Sequence, residues 1–289
     1  MSFFAQASAD KPLRFTMREL EVVLAAHPSD QMELLEHLVN HASETFTPKT
    51  TLHMVMTRSG ERGREVVEGG GALRKVCCDE VALGYMLYRM TSRLLELYGG
   101  QTAVHCAAAS IDGRLALFTG DRGAGKTTLL LRLMLDGAAF HCDEMVLAHD
   151  GVATTLPRRL HVKDGTLAHL PEVAEACEDK PFVKHGKGPR FYPVDPTELG
   201  HQWASVSRRP SVIFRLAPAF DRPPELAPVP QIQMVKTLMC QTLSGHLNIG
   251  RQAENICSMV RGVPCYELRV GPLLETSEIV RQAVAAIDP

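Results

Sequence analysis

The sequence has no C-x-x-C pair, no apolar run long enough to cross a bilayer, no internal repeat and no low-complexity tract. Each absence removes a class. Without paired cysteine spacing, zinc binding and thioredoxin-like redox chemistry are not expected. Eight cysteines are present: Cys77, Cys78, Cys106, Cys142, Cys177, Cys240, Cys257 and Cys265. Cys77 and Cys78 are adjacent, too close for an ordinary disulfide. Most of the eight lie in apolar runs and read as small buried hydrophobes. No secretory signal is recognised, so a reducing cytoplasm is the expected setting. The apolar stretches are too short for a membrane helix. A formal net charge of -2 gives no general reason to expect nucleic acid or an anionic membrane as partner.

What is there is ordinary globular composition. Of 289 residues, 45% are hydrophobic and 22% charged, enough for one large domain or a main domain with a smaller appendage. Residues 1–10 read as a loose polar start. Leu13 to Leu24 alternates as strand, and Ser29 is placed to cap a helix carrying Leu34, Leu35, Leu38 and Val39. Leu52 to Met56 reads as strand, Ser59 to Gly63 as a turn, and Glu65 to Val67 as the returning strand. Residues 1–75 are thus expected to form a small α+β region with a mostly antiparallel sheet. Residues 76–289 are expected to form a larger α/β domain.

The larger domain opens on a helix. Asp79 is the expected N-cap, Leu83, Met86, Leu87, Met90, Leu94 and Leu97 recur at helical spacing, and Gly99-Gly100 ends it. Thr102 to Ser110 reads as one buried strand, Ile111 to Arg114 as a turn, and Leu115 to Thr119 as a second buried strand. Lys126 to Leu135 follows as a helix closed by Gly137. Strands are expected at Ala138 to Cys142, Met145 to Ala148 and Val152 to Thr155. Pro181 to Pro196, rich in Gly, Pro and cations, reads as a loop or lid. Val212 to Leu216 and Pro264 to Val270 read as strands, Asp221 to Pro230 as a linker. Residues 231–246, 251–260 and the end of the chain read as helices.

The motif that carries chemistry is Gly120-Asp121-Arg122-Gly123-Ala124-Gly125-Lys126-Thr127, a complete Walker A loop, followed by Thr128. Glycines let backbone N–H groups close around phosphate oxygens. Lys126 is placed to reach the β- and γ-phosphates, and the Thr127 hydroxyl to ligate Mg²⁺. The loop follows an apolar strand and opens an amphipathic helix, which is the context a phosphate-binding loop requires. ATP and Mg²⁺ are therefore the expected ligands.

Downstream, Asp143 and Glu144 are adjacent carboxylates in an apolar setting. Carboxylates so placed need partners, and two tasks remain for them: one to orient or deprotonate an attacking hydroxyl, the other to hold Mg²⁺. His105, among small apolar residues on the strand expected beside the loop, is a third candidate; on its own such a histidine reads as a core residue. Two basic sets could face a phosphoryl group or an acidic acceptor: Arg158, Arg159 and Lys163, and then Lys184, Lys187 and Arg190 in the glycine-rich stretch.

These features together resemble the HPr kinase/phosphorylase family and its HPr-kinase-like relatives. The residues that carry the resemblance are Val104-His105-Cys106-Ala107-Ala108, Ile111-Asp112-Gly113, Gly120 to Thr128, and His141-Cys142-Asp143-Glu144-Met145-Val146-Leu147. The strong part covers residues 101–152. Leu156 to Arg159 with Lys163, and Val263 to Arg269, match more weakly. The resemblance implies a mixed, twisted sheet of the kind shared with phosphoenolpyruvate carboxykinase. It implies Asp143 as general base, Glu144 as the acid linked to Mg²⁺, and His105 near the phosphoryl site. The second acid is Glu where the family pair is usually Asp-Asp. The C-terminal signature of HPr kinases proper is not found, so neither the HPr protein as substrate nor the reverse reaction is implied.

The expected activity is Mg²⁺-dependent transfer of the ATP γ-phosphoryl to a serine-type hydroxyl on a peptide, protein or small molecule. Two alternatives stand beside it: an ATP-binding regulatory or scaffold protein without transfer, and a small-metabolite P-loop kinase. The sequence leaves homo-oligomerisation open.

Overall fold

The computed structural model describes residues 12–17, 19–27, 35, 38, 47–60, 63–69, 73–156, 158–180, 182–184, 188–202, 204–243 and 248–287. The polar start and most of the helix expected after Ser29 lie outside these residues. Strands β1 (Leu13–Met17), β2 (Leu20–His27), β3 (Thr50–Ser59), β4 (Gly63–Glu68) and β5 (Leu73–Val76) lead into helix α1 (Asp79–Leu97). Next come β6 (Thr102–His105), β7 (Ala107–Ile111), β8 (Arg114–Thr119), α2 (Lys126–Leu135), β9 (Ala139–Cys142), β10 (Met145–His149) and β11 (Val152–Thr155). Then follow β12 (Leu160–Lys163), β13 (Val183–Lys184), β14 (Arg190–Val194), β15 (Ser207–Arg208), β16 (Val212–Pro218) and β17 (Glu225–Pro228). The chain continues through α3 (Gln231–Cys240), α4 (Ile249–Val260), β18 (Cys265–Val270) and α5 (Leu273–Ala285), and the whole is a mixed α/β arrangement. Among the described residues no helix is long and apolar enough to cross a membrane.

Two compact units form. The first takes the described residues of Met1–Tyr98, Arg158–Ala168 and Val173–Asp195, and the second those of Gly99–Pro157, His169–Glu172 and Pro196–Pro289. In the first, a five-stranded sheet runs in the order β1-β2-β3-β4-β5, antiparallel except for the parallel β2–β3 pair. Period-two alternation sends Leu20, Val22, Leu24 and Ala26 of β2, and Leu52, Met54 and Met56 of β3, to the interior. Helix α1 packs on β2, β3 and β4 with Ala82, Met86, Met90 and Leu94 buried at four-residue spacing. It therefore belongs with the strands before it, not with the domain expected to begin at residue 76. Cys78, rather than Asp79, takes its cap position, with no side-chain cap bond. The Asp79 carboxylate is instead held 2.6 Å from Arg64 Nε.

The first unit also contains a sheet of order β12-β14-β13. This changes the expectation for Pro181 to Pro196. Its described residues are not a bare loop but a hairpin of β13 and β14, with β14 paired to β12. Burial is the physical reason: Val183, Tyr192 and Val194 lie in the interior, and strand pairing satisfies the backbone around them.

The second unit has two sheets, β15-β11-β10-β6 and β17-β18-β16-β8-β7-β9. Strands β8, β16 and β18 are mutually parallel. The segment expected as a linker supplies β17, an antiparallel edge to β18. The core between the sheets and helices α3 and α4 is built from Val104, Leu115, Leu117, Val146, Ile213, Leu238, Ile256 and Met259. Four of the cysteines, Cys106, Cys142, Cys177 and Cys265, are buried, while Cys77, Cys240 and Cys257 are exposed. The burial expected of most cysteines thus holds for half of them.

Candidate functional site

The stretch Thr102 to Ser110, read as one strand, is broken at Cys106. On one side β6 pairs with β10; on the other β7 pairs with β8 and β9. The neighbouring chain makes the same change of sheet at Asp143-Glu144, passing from β9 to β10. The two crossings are stitched together. The Cys106 N–H donates to the Glu144 carbonyl at 3.2 Å, and the Cys142 thiol donates to the Cys106 carbonyl at 3.7 Å. His105 and the acidic pair therefore meet where the backbone leaves both ladders.

The glycine loop opens at the same end. Ala107 faces Phe118 across β7–β8, so Cys106 lies beside the last turn of β8, and its thiol donates to the Phe118 carbonyl at 3.2 Å. Ala108 faces Cys142 across β7–β9. The ends of β8 and β9 thus flank β7 two strand spacings apart, about 10 Å. Gly120 has φ 149°, and a Cβ there would stand 3.0 Å from the Leu216 carbonyl oxygen, so a side chain would be strained and would press on β16. Gly125 is left-handed, φ 91°, and caps α2. The first N–H groups of that helix point out of its N-terminus, as at any helix start.

Lys126 is buried. Its ammonium donates to the Gly120 carbonyl at 2.6 Å and to the Asp121 carbonyl at 3.1 Å. A buried cation needs such partners, and these carbonyls hold it at the loop. Thr127 and Thr128 follow on the first turn of α2. Arg122, Gly123 and Ala124 complete the loop, closed by the Ala124 N–H donating to the Asp121 carbonyl at 3.1 Å. Asp143 is buried at 6% exposure, and Glu144 and His105 are half-buried. Burial pushes the Cys106 thiol up to about 12, with the Lys126 charge and the bond to the Phe118 carbonyl opposing it less strongly. Cys106 is a neutral thiol and a structural donor, not a nucleophile.

Gln241, at the C-cap of α3, escaped the sequence reading. Its carbonyl accepts from the His105 N–H at 2.8 Å. Its side-chain oxygen is 3.3 Å from His105 Nδ1, and its Nε2 donates to Asp121 Oδ1 at 3.2 Å. It ties the histidine to the glycine loop.

The basic residues lie in the first unit. Arg158 contacts His161 at 3.3 Å and Arg159 Nε is 3.8 Å from Asp195. The Lys163 ammonium is 5.6 Å from the Phe191 ring centre, and Arg190 stacks 4.7 Å over Phe182. Lys184 faces Arg190 across β13–β14. Lys187 lies outside the described residues. Among the described residues, no group of three or more His, Cys, Asp and Glu side chains is gathered to hold a metal.

No family model matches the chain, and no curated protein does. A solved structure that matches is the HPr(Ser) kinase/phosphatase from Coxiella burnetii, at 14% identity and a TM-score of 0.33, covering 63% of this chain and 88% of that chain.

Proposed function

We propose that the chain is a Mg²⁺-dependent phosphotransferase that moves the γ-phosphoryl of ATP to a hydroxyl acceptor on a peptide, protein or small molecule. The observation that carries this reading is the convergence at one end of the sheet. A strand–glycine loop–helix unit with a buried lysine opens beside a double strand crossing that bears His105, Asp143 and Glu144. The loop fits a polyphosphate: Gly120, Gly123 and Gly125 have positive φ angles that side chains resist, and the Lys126 ammonium is held at the loop's own carbonyls.

The donors also fit Mg²⁺, a hard cation usually held by one or two protein oxygens together with substrate phosphates. Thr127 and Glu144 would hold it. When bound, Mg²⁺ neutralises charge on the β- and γ-phosphates. The protein's own groups do the rest. Gly120 to Thr128 bind the phosphates. Lys126 exchanges the Gly120 and Asp121 carbonyls for phosphate oxygens and stabilises charge leaving with ADP. The Asp143 carboxylate takes the acceptor's hydroxyl proton. The acceptor oxygen forms a bond to the γ-phosphorus, and the bond from that phosphorus to the β–γ bridging oxygen breaks. His105 stands beside the reacting groups. Arg158, Arg159, Lys163, Lys184 and Arg190 belong to the first unit and, with Lys187, are kept only as candidate cations for an acidic acceptor.

The test is direct. Hydroxyl-bearing peptides and small alcohols are incubated with the protein, ATP and Mg²⁺, and searched for a gain of about 80 Da, one phosphoryl group. Lys126→Ala is expected to lose transfer and weaken ATP binding. Asp143→Asn is expected to keep ATP binding while losing about 10²-fold or more in rate, the scale of a general base. Parental ATP affinity and turnover in Lys126→Ala would end the reading. Tight ATP binding without transfer to any acceptor would favour a regulatory ATP-binding protein.

A further inference from the structure

We propose that Gln241 is a positioning residue that fixes the tautomer of His105 and couples that ring to the glycine loop. The inference deepens the reading of His105 as part of a phosphoryl-transfer site, but its physical content does not depend on that activity. The starting point is the backbone. Gln241 closes α3, and the chain there is bound to the β6 edge by two hydrogen bonds, the His105 N–H donating to the Gln241 carbonyl at 2.8 Å and the Leu243 N–H donating to the Ala103 carbonyl at 3.0 Å, which together make the antiparallel Val104–Thr242 bridge. Its side chain is thereby presented between His105 and Asp121 before any ligand arrives.

The orientation of its amide follows from what each neighbour can do. An ionised carboxylate only accepts hydrogen bonds. Asp121 Oδ1, 3.2 Å from the Gln241 side chain, must therefore face the NH₂ group. That turns Oε1 towards His105 Nδ1, 3.3 Å away. Oε1 is itself only an acceptor, so Nδ1 must carry the hydrogen. A neutral imidazole with its hydrogen on Nδ1 has Nε2 as its one acceptor nitrogen. Reversing the amide would set oxygen against carboxylate, an acceptor against an acceptor.

The consequence is chemical. In that neutral tautomer Nε2 can only accept a hydrogen bond and cannot donate one to a phosphoryl oxygen. The same residue carries the coupling. The Asp121 carboxylate holds Gln241, while the Asp121 carbonyl accepts from the Lys126 ammonium at 3.1 Å. When Lys126 leaves that carbonyl for a phosphate, the change occurs in the residue that orients the amide and, through it, His105.

The test uses the full chain, labelled with ¹⁵N-histidine and free of nucleotide, at about pH 8, above the ordinary imidazole range. Two-bond ¹⁵N–¹H correlation spectra distinguish the tautomers, and the signal lost in His105→Gln assigns His105. The Nδ1–H form is expected in the parent protein. Gln241→Met keeps chain length and removes both hydrogen bonds; the second tautomer is expected to appear with the melting temperature little changed. Asp121→Asn, which lifts the acceptor-only restriction, is expected to admit it too, and answers the question should Gln241→Met not fold. An Nε2–H ring in the parent, or a parental tautomer in both variants, would overturn the proposal. Failure of the kinase reading would look different: no phosphoryl transfer, with the tautomer and its response to Gln241→Met intact.

Discussion

His141 is nearly inaccessible, and all its ring partners are defined. Nδ1 faces the Ala204 carbonyl at 2.9 Å and Nε2 faces the Ser110 hydroxyl at 2.7 Å. Arg208 donates to that hydroxyl at 2.6 Å. The carbonyl demands a hydrogen on Nδ1, so Nε2 accepts from Ser110 and the neutral ring satisfies every group. Burial lowers the pKa of His141 from its ordinary value, and the Arg208 charge adds to this, while the bond to Ala204 opposes it. The folded value lies below the unfolded one, so the unfolded chain binds the extra proton. The stabilisation is complete above the ordinary imidazole pKa of about 6.5 and is lost as pH falls from there through the lowered value. Thermal melts at stepped pH should show a midpoint falling in that window, and His141→Gln should flatten the fall. Burial also lowers His201, so a remainder is expected. An unchanged slope in His141→Gln would mean that the ring carries its proton in the fold. At this scale the sequence was informative about groups that announce themselves. Lys126 and Thr127 are marked by glycine spacing, and Asp143 and Glu144 by being acids in an apolar run. Gln241 has no such mark. Its partners lie 136 and 120 positions away, and only the topology brings them together.

Among the elements, α1 and β4 are joined by more than apolar packing. Arg89 Nε and Nη2 donate to the two oxygens of Glu68 at 2.6 and 2.9 Å, a two-point pair that resists rotation. Glu68 is buried and Arg89 about a quarter exposed. Losing one partner strands a charge, which costs more than the pair itself contributes. Arg89→Ala is therefore expected to destabilise the first unit by about 2 kcal/mol, reduced from the fully buried case because water reaches the arginine. Arg89→Leu combined with Glu68→Leu should recover most of that loss. Urea denaturation of the three proteins decides it; equal losses in the single and double variants would show that only packing was removed. Elements were legible where the period was clean, as in α1 with its residues at 86, 90 and 94, or β8 before the loop. They were misread where one residue interrupts a run. Thr102 to Ser110 carries no glycine or proline to signal that Cys106 steps out of the ladder. Pro181 to Pro196 carries so many that the few apolar residues which seat its strands, Val183, Tyr192 and Val194, are masked.

For the molecule as a whole, the first compact unit is assembled from three separated stretches of chain and the second from the stretches between and after them. No shift in composition marks the returns near residues 158 and 195, since both segments are ordinary strand and turn sequence, and a single boundary near residue 75 was the natural reading. The two units have separate cores: Leu20, Leu24, Met54 and Met90 are buried in the first, and Leu117, Ile213, Leu238 and Met259 in the second. The proposed nucleotide contacts all belong to the second, because the glycine loop, His105 and the acidic pair are all within it. A ligand stabilises what must stay folded to bind it. Mg²⁺-ATP at 100 times its dissociation constant would add about 2.7 kcal/mol, or about a hundredfold in the population of open states. If each core opens by itself, amide hydrogen exchange in β8 and β16 should slow by up to that factor on adding Mg²⁺-ATP, with β2 and β3 nearly unchanged. Equal slowing in both sets would show that the two cores open as one cooperative body. Slowing in neither would mean that the glycine loop does not hold the nucleotide, and Lys126→Ala, which should abolish the response in β8 and β16, is the control that assigns any slowing to that loop.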